Sequence, residues 1–281
     1  MVPRNGKAEY AVVGESSSQY ASFIRYTALG LLIVNRQWPW TLNEKTAYDA
    51  YVGVDVLHNT AAFTFFYEGG QRCFVRTQPS KQKEKLLRSQ ARSMIYQGLA
   101  EDLAGGVAPP RSVVMHRDGH VFQSEWLGLQ DAVGQLVQEG RLPADVTTGI
   151  VEIHKHSAMG VRLAAERQGG LWNPKAGSWF DISDTEGIVC LTGWPFRLRG
   201  TVNPLFVRIA RGKLSLKSVL QDIFWMSQLC WMVPDRCIRL PIDLKLCDDF
   251  LRSSAADADD DEAEFGEENS EMEGDDTLLH T

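Results

Sequence analysis

Short β-branched blocks alternate with longer periodic stretches along the chain, a pattern that predicts strands interleaved with helices. After about twenty polar, Ser-rich residues, Phe23–Val34 is apolar, with helical or strand character, and Pro39 in Trp38-Pro39-Trp40 ends it. Tyr51–Leu57 (YVGVDVL) reads as a buried strand with one acid inside it. In FTFFYEGGQRCFVRT, Gly69-Gly70 separates two strand-like runs, which is a hairpin signal. Lys81–Leu103 predicts a helix with a basic first turn, stopped at Gly105-Gly106. Arg111–Met115 predicts a second buried strand, running into His116-Arg117-Asp118-Gly119. Ser124–Glu139 is helical and Val146–His154 is a strand. Trp172–Gly187 is Gly-, Asn-, Pro- and Ser-rich and reads as a long loop. Ile188–Leu191 and Leu205–Ile209 are strands, Leu216–Met232 is the most apolar helix, and Pro241–Leu251 is a short final helix.

This order predicts an α/β domain built on a mixed sheet flanked by helices, a single domain of roughly 200–230 residues. The expected boundaries are a flexible arm over residues 1–20, the domain over 21–252, and a disordered tail over 253–281. Composition changes this picture in three ways. The 281 residues are 44% apolar and 23% charged, which suits a chain that buries a sizeable core. Five cysteines with no CxxC pair make neither a disulfide framework nor a zinc ribbon, so a reducing, cytoplasmic setting is expected. The formal charge of −7 is set by the tail: Ser253–Thr281 holds 12 Asp and Glu and no Lys or Arg. The remainder has 24 acids against 29 bases, about +5. A mildly basic body with an acidic tail is compatible with a polyanionic ligand. The apolar run Ala28–Val34 is far too short to span a bilayer, and the N-terminus has no signal-peptide core.

The chemistry-bearing candidates are carboxylates. Asp55 lies mid-strand, where a buried acid needs a metal or a partner, unless the strand is an edge facing solvent. Asp118 follows a buried strand, where ligands gather in α/β sheets, although an Asp-Gly turn is common without one. Asp248 and Asp249 lie on the final helix, where adjacent acids usually mark a solvated face. Glu84, in SKQKEKLL, has an ordinary reading as an ion pair with Lys81 or Arg88. Four carboxylates from four elements suit two hard divalent cations and phosphodiester hydrolysis. His154-Lys155-His156 is a weaker metal tract. Trp225, Met226, Trp231 and Met232 read as core.

The succession YVGVDV, hairpin, VVMHRDGHVFQSEWLGL, VEIHKHSAMGVR, RGTVNPLFVRI, RLPIDLKLCDDFL resembles the PIWI domain of prokaryotic Argonaute proteins. YTALGLLIVNRQWPWTL resembles the stretch leading into it. The resemblance covers about Tyr26–Arg252. It implies an RNase H-like fold and guide-directed recognition of a complementary strand in host defence. It also implies a two-metal endonuclease site using Mg²⁺ or Mn²⁺ and an Asp-Glu-Asp-Asp tetrad. Position by position, the tetrad falls on Asp55, Glu84, Asp118 and Asp248, with Glu68 as a fallback for the glutamate. Asp55, Asp118 and Asp248 would be the metal ligands. Lys155, Arg162, Arg197 and Arg199 would contact the phosphates of guide or target.

The length leaves no room for the family's N, PAZ and MID domains. The resemblance therefore implies a PIWI half whose partners are a guide strand, a target strand and a separate MID-containing or effector protein, with no membrane. The alternative is a catalytically silent guide- and target-binding module that recruits an effector. A third reading gives the acidic tail the main role, competing with nucleic acid for the basic groove.

Overall fold

The computed structural model describes residues 2–4, 9–11, 17–35, 37–57, 59–80, 85–155, 160–167, 169–195, 200–231 and 238–253. Strands β1 (Val2–Arg4) and β2 (Glu9–Ala11) pair antiparallel ahead of helix α1 (Ser17–Val34), so the stretch read as a loose arm carries a strand pair and the start of a helix. Then come β3 (Ala50–Leu57), β4 (Thr60–Tyr67), a 3-10 turn at Glu68–Gly70 and β5 (Arg72–Pro79). The hairpin turns at Gly69 and Gly70, whose φ angles of 64° and 95° suit glycine. Helix α2 (Arg88–Ala104), β6 (Ser112–Asp118), α3 (Gln123–Gln138) and β7 (Thr147–His154) follow. Strand β8 (Ala165–Arg167) pairs with β9 (Gly170–Trp172) just ahead of the expected loop, and the loop itself contains a short strand, β10 (Trp179–Asp181), which joins the main sheet. Strands β11 (Glu186–Val189) and β12 (Leu205–Gly212), helix α4 (Leu216–Ser227) and a last helix α5 over residues 242–253 complete the described chain. Of the acidic tail, residues 254–281 lie outside the described residues.

The main sheet has eight strands in the order β10-β11-β12-β7-β6-β3-β4-β5. Its centre, β3-β6-β7, is parallel, and both wings are antiparallel. The central strands are largely apolar because helices cover both faces, and their charged residues gather towards their carboxyl ends. Val52, Val54, Met115 and Ile150 point to the side closed by α2 and α3, where they meet Ile95, Leu99, Leu129 and Leu136. Tyr51, Val114, Val151 and Ile153 point to the other side, against Leu220, Ile223 and Met226 of α4 and Ile242, Leu244 and Leu246 of α5.

Helix α2 begins at Arg88, seven residues after the start predicted from composition. Leu86 is buried, its N–H donates to Glu125 Oε1 (3.2 Å), and its carbonyl accepts from Ser124 Oγ (2.7 Å). The chain before α2 is thus tied to the start of α3 instead of coiling into the helix. Arg88 pairs with Asp131 at 2.6 Å.

Helix α5 is seated on β3, β4 and β6 by three sets of contacts. Gly53 has no side chain, so the α5 backbone comes close: a Cβ there would lie 2.7 Å from the Asp243 carbonyl carbon. His116 Nδ1 and Asp243 Oδ2 are 2.8 Å apart, both fully buried. Cys247 Sγ lies 3.3 Å from Thr64 Oγ1 and 3.5 Å from the Gly53 carbonyl oxygen. No helix among the described residues is long and apolar enough to cross a membrane.

Candidate metal centre

Strand parity places the acids. Tyr51 and Val114 face the α4/α5 side, and side chains alternate along a strand, so Gly53 and Asp55 share the Tyr51 face while His116 and Asp118 share the Val114 face. Strands β3 and β6 are parallel neighbours in register (Val54 opposite Arg117), so Asp55 and Asp118 stand side by side at their carboxyl ends. That is where ligands bind in open α/β sheets. Helix α5 lies over this end of the sheet and turns Asp248 into the same space. Asp249, its neighbour, is turned away and pairs with Lys245 on its own helix.

One oxygen from each of Asp55, Asp118 and Asp248 lies within 4.8 Å of the other two. All three side chains are largely buried, with exposures of 14–15%. Asp55 is interior to the sheet, between β4 and β6, so the solvent-facing edge alternative does not hold. Burial pushes its carboxyl above the usual range, and the Asp118 charge adds to this. Arg117 Nη1 (3.6 Å), the Val56 N–H (2.8 Å) and Lys155 oppose the rise.

Lys155 follows β7, in step with Ile153, and so reaches the same face. Its Nζ lies 2.8 Å from Asp118 Oδ2 and 2.8 Å from Asp248 Oδ1. Arg252 Nε reaches Asp248 Oδ2 at 3.1 Å. Burial alone would raise the Asp248 carboxyl, but Lys155 and Arg252 outweigh it and hold the group below its ordinary value. Burial likewise disfavours the Lys155 ammonium, and the two carboxylates more than restore it. The donor set fits a hard divalent cation: three carboxylates, partly exposed, within bridging distance.

The structure brings together Asp55, Asp118 and Asp248 of the expected tetrad. Glu84 lies outside the described residues. Its flanks sit at the correct end of the sheet, because β5 ends at Pro79 opposite Thr60. The fallback Glu68 does not reach the site. It follows Tyr67, which pairs with Ala50, whereas Asp55 pairs with Ala62, so five residues of strand put it about 17 Å away. Lys155, expected at a phosphate, is engaged with two acids. Arg162 is exposed near the Leu163–Val202 bridge, while Arg197 and Arg199 lie outside the described residues.

Sequence reasoning missed Arg117, which is buried and spans from Asp55 to Glu125 (3.4 Å). It also missed Glu152, whose carboxylate is buried among Arg208, His120 and His154. For Lys155 a signal existed: continuing the β7 alternation by one residue aims it at Asp118. His154 turns to Glu152, and His156 lies outside the described residues.

No family model matches the sequence, and no curated protein matches it at the sequence level. Among solved structures the chain is similar to Clostridium butyricum Argonaute bound to a guide DNA and a 19-mer target DNA, at a TM-score of 0.69 and 18% identity over 86% of this chain. It is also similar to two structures of Aquifex aeolicus Argonaute. Their TM-scores are 0.56 and 0.58, at 18% and 17% identity, over 80% and 81% of this chain. In each case it spans 31% of the longer protein. The fold, a mixed eight-stranded sheet flanked by helices, is the RNase H-like α/β fold of the Argonaute PIWI domain.

Proposed function

We propose that this chain is a guide-directed nucleic-acid-binding protein whose carboxylate cluster is a divalent-metal endonuclease centre. The observation that carries this reading is the meeting of Asp55, Asp118 and Asp248, from three separate elements, at the carboxyl end of the parallel strands. Similarity to an Argonaute bound to guide and target DNA supports the choice of nucleic acid as ligand. Asp55, Asp118 and Asp248 would hold Mg²⁺ or Mn²⁺, and Glu84 would complete the set. Two divalent cations bound at such a site supply an activated water and neutralise charge on the scissile phosphodiester. The chain's own residues fix the ligands. Arg117 and the Val56 N–H orient Asp55, and the His116–Asp243 pair seats the helix that carries Asp248. Arg162, Arg197 and Arg199 would hold backbone phosphates, giving affinity without sequence reading, while pairing with the guide selects the target. Four cysteines among the described residues are free thiols, which suits a cytoplasmic protein.

The test is single-turnover cleavage of a labelled strand complementary to a 5′-phosphorylated guide, with Mg²⁺ or Mn²⁺, comparing wild type with Asp118→Ala. Guide-dependent cutting that disappears in Asp118→Ala is expected. Guide-dependent binding with no cutting in either protein would sink the nuclease reading. One observation favours that second outcome, a silent binding module: the Lys155 ammonium already sits on two of the three ligands.

A further inference from the structure

The carboxylate cluster carries its own cation. Lys155 Nζ contacts Asp118 Oδ2 and Asp248 Oδ1, each at 2.8 Å, and these are two of the three groups suited to a metal ion. Arg252 approaches Asp248 on its other oxygen and is 68% exposed, and Arg117 stands 3.6 Å from Asp55. Of these cations, Lys155 is the one that bridges two ligands. An ammonium placed there sits on two of the three carboxylates that a divalent cation would take, and the two species compete for those groups. The lysine is also placed to leave. Its carbonyl oxygen is held by Asn203 Nδ2 (3.4 Å) and Arg239 Nη2 (3.2 Å), while its flexible four-carbon stem carries a partly exposed ammonium.

We infer that Lys155 is the resident counter-ion of the Asp55–Asp118–Asp248 centre, and that a divalent cation binds by displacing its ammonium. The inference rests on the metal reading proposed above. With no divalent cation present, Lys155 holds Asp118 and Asp248 together. With the cation bound, the ammonium gives up both carboxylates. Metal affinity is therefore lowered by the strength of the lysine's own contacts, and by linkage the cation loosens Lys155 to the same degree.

The experiment is calorimetric titration of Mn²⁺, without nucleic acid, into wild type, Lys155→Met, Lys155→Gln and Arg252→Gln, with Asp118→Asn as the site control. Melting temperatures in chelator and in Mn²⁺ are recorded for each. Loss of Lys155 should tighten Mn²⁺ binding by about tenfold or more, the equivalent of losing one moderate competing interaction. Both Lys155 variants should melt lower than wild type in chelator and recover in Mn²⁺. Arg252→Gln should change affinity far less, and Asp118→Asn should abolish binding. Should Lys155→Met fail to fold in chelator, Lys155→Gln and refolding in Mn²⁺ provide the same comparison.

Binding by the Lys155 variants alone would show that the lysine excludes the metal, and would overturn both displacement and the nuclease reading for the natural chain. Equal or weaker binding by both Lys155 variants than by wild type would overturn the inference and leave the metal reading standing. Absence of Mn²⁺ binding in every protein would overturn both.

Discussion

Replacing Gly53 by alanine tests whether the close approach of α5 to β3 sets the Asp55–Asp118–Asp248 cluster. Gly53 has no left-handed backbone angle, so alanine fits the strand and would by itself gain about 0.5–1 kcal/mol through reduced chain entropy. Against this, its Cβ would lie 2.7, 2.8 and 2.9 Å from the carbonyl carbon, carbonyl oxygen and Cβ of Asp243. Carbon atoms rest about 3.5–4.0 Å apart, so the start of α5 must retreat by about 1 Å or β3 must buckle. Overpacking costs about 1–3 kcal/mol, and backbone on both sides of this contact places it at the upper end, for a net loss of about 2–2.5 kcal/mol. Asp248 lies five residues along the same helix, about 7.5 Å from Asp243, so a rigid shift carries its carboxylate out of position. Urea unfolding and Mn²⁺ titration of Gly53→Ala should give a lower midpoint and weaker binding. Gly134→Ala, on α3 with open space around it, should be neutral or stabilising. A Gly53→Ala protein as stable as wild type, with unchanged Mn²⁺ affinity, would refute the reasoning.

Three further outcomes follow from buried polar and charged groups. His116 and Asp243 are both fully buried, so Asp243→Ala should cost about 1–3 kcal/mol in urea unfolding by leaving an unpaired polar partner; a loss below about 0.5 kcal/mol would mean that the pair does not seat α5. Burial alone would raise the Glu152 carboxyl, but hydrogen bonds from His154, the Val121 N–H and Arg208 bring it down to about 2 from 4.5. A lowered carboxyl stabilises the fold above pH 4.5 and loses that contribution as the pH falls towards 2. Arg208 and His120 are 38% and 62% exposed, so screening reduces the full shift to about 1–2 kcal/mol. Glu152→Gln should flatten stability against pH in that window, and an unchanged profile would contradict the assignment. Tyr67 and Arg76 both bond the buried Asp102 (2.9 and 2.6 Å), so Arg76→Met should lower the unfolding midpoint by about 2–4 kcal/mol equivalent, and Tyr67→Phe by about 1.

Much of the fold was legible because its signals are local. The β-branched run around Asp55, the Gly69-Gly70 hairpin and the Arg-Asp-Gly strand end each state their structure within a few residues, and strand parity then puts Asp55 and Asp118 on one face. Helix α5 was legible as a helix, but its seat was not. The space above Gly53, the His116–Asp243 pair and the Cys247 contacts join residues more than a hundred positions apart. The predicted helix runs on into α2 because Lys and Glu favour one, whereas among the described residues burial of Leu86 and its bonds to α3 hold residues 85–87 out of the helix. β10 was hidden in a Gly- and Ser-rich stretch because an edge strand of three residues has too few positions to show a period. Lys155 was read as a phosphate ligand from the family resemblance of HKHSAMGVR, whereas the structure places Asp118 and Asp248 within 2.8 Å of its ammonium.

The most direct measurement is anomalous scattering from crystals grown in Mn²⁺. The account predicts an anomalous peak within bonding distance of carboxylate oxygens from Asp55, Asp118 and Asp248, with the Lys155 ammonium withdrawn from both of its partners. A cluster with no anomalous peak and Lys155 still bridging Asp118 and Asp248 at saturating Mn²⁺ would contradict the claim that this is a metal centre.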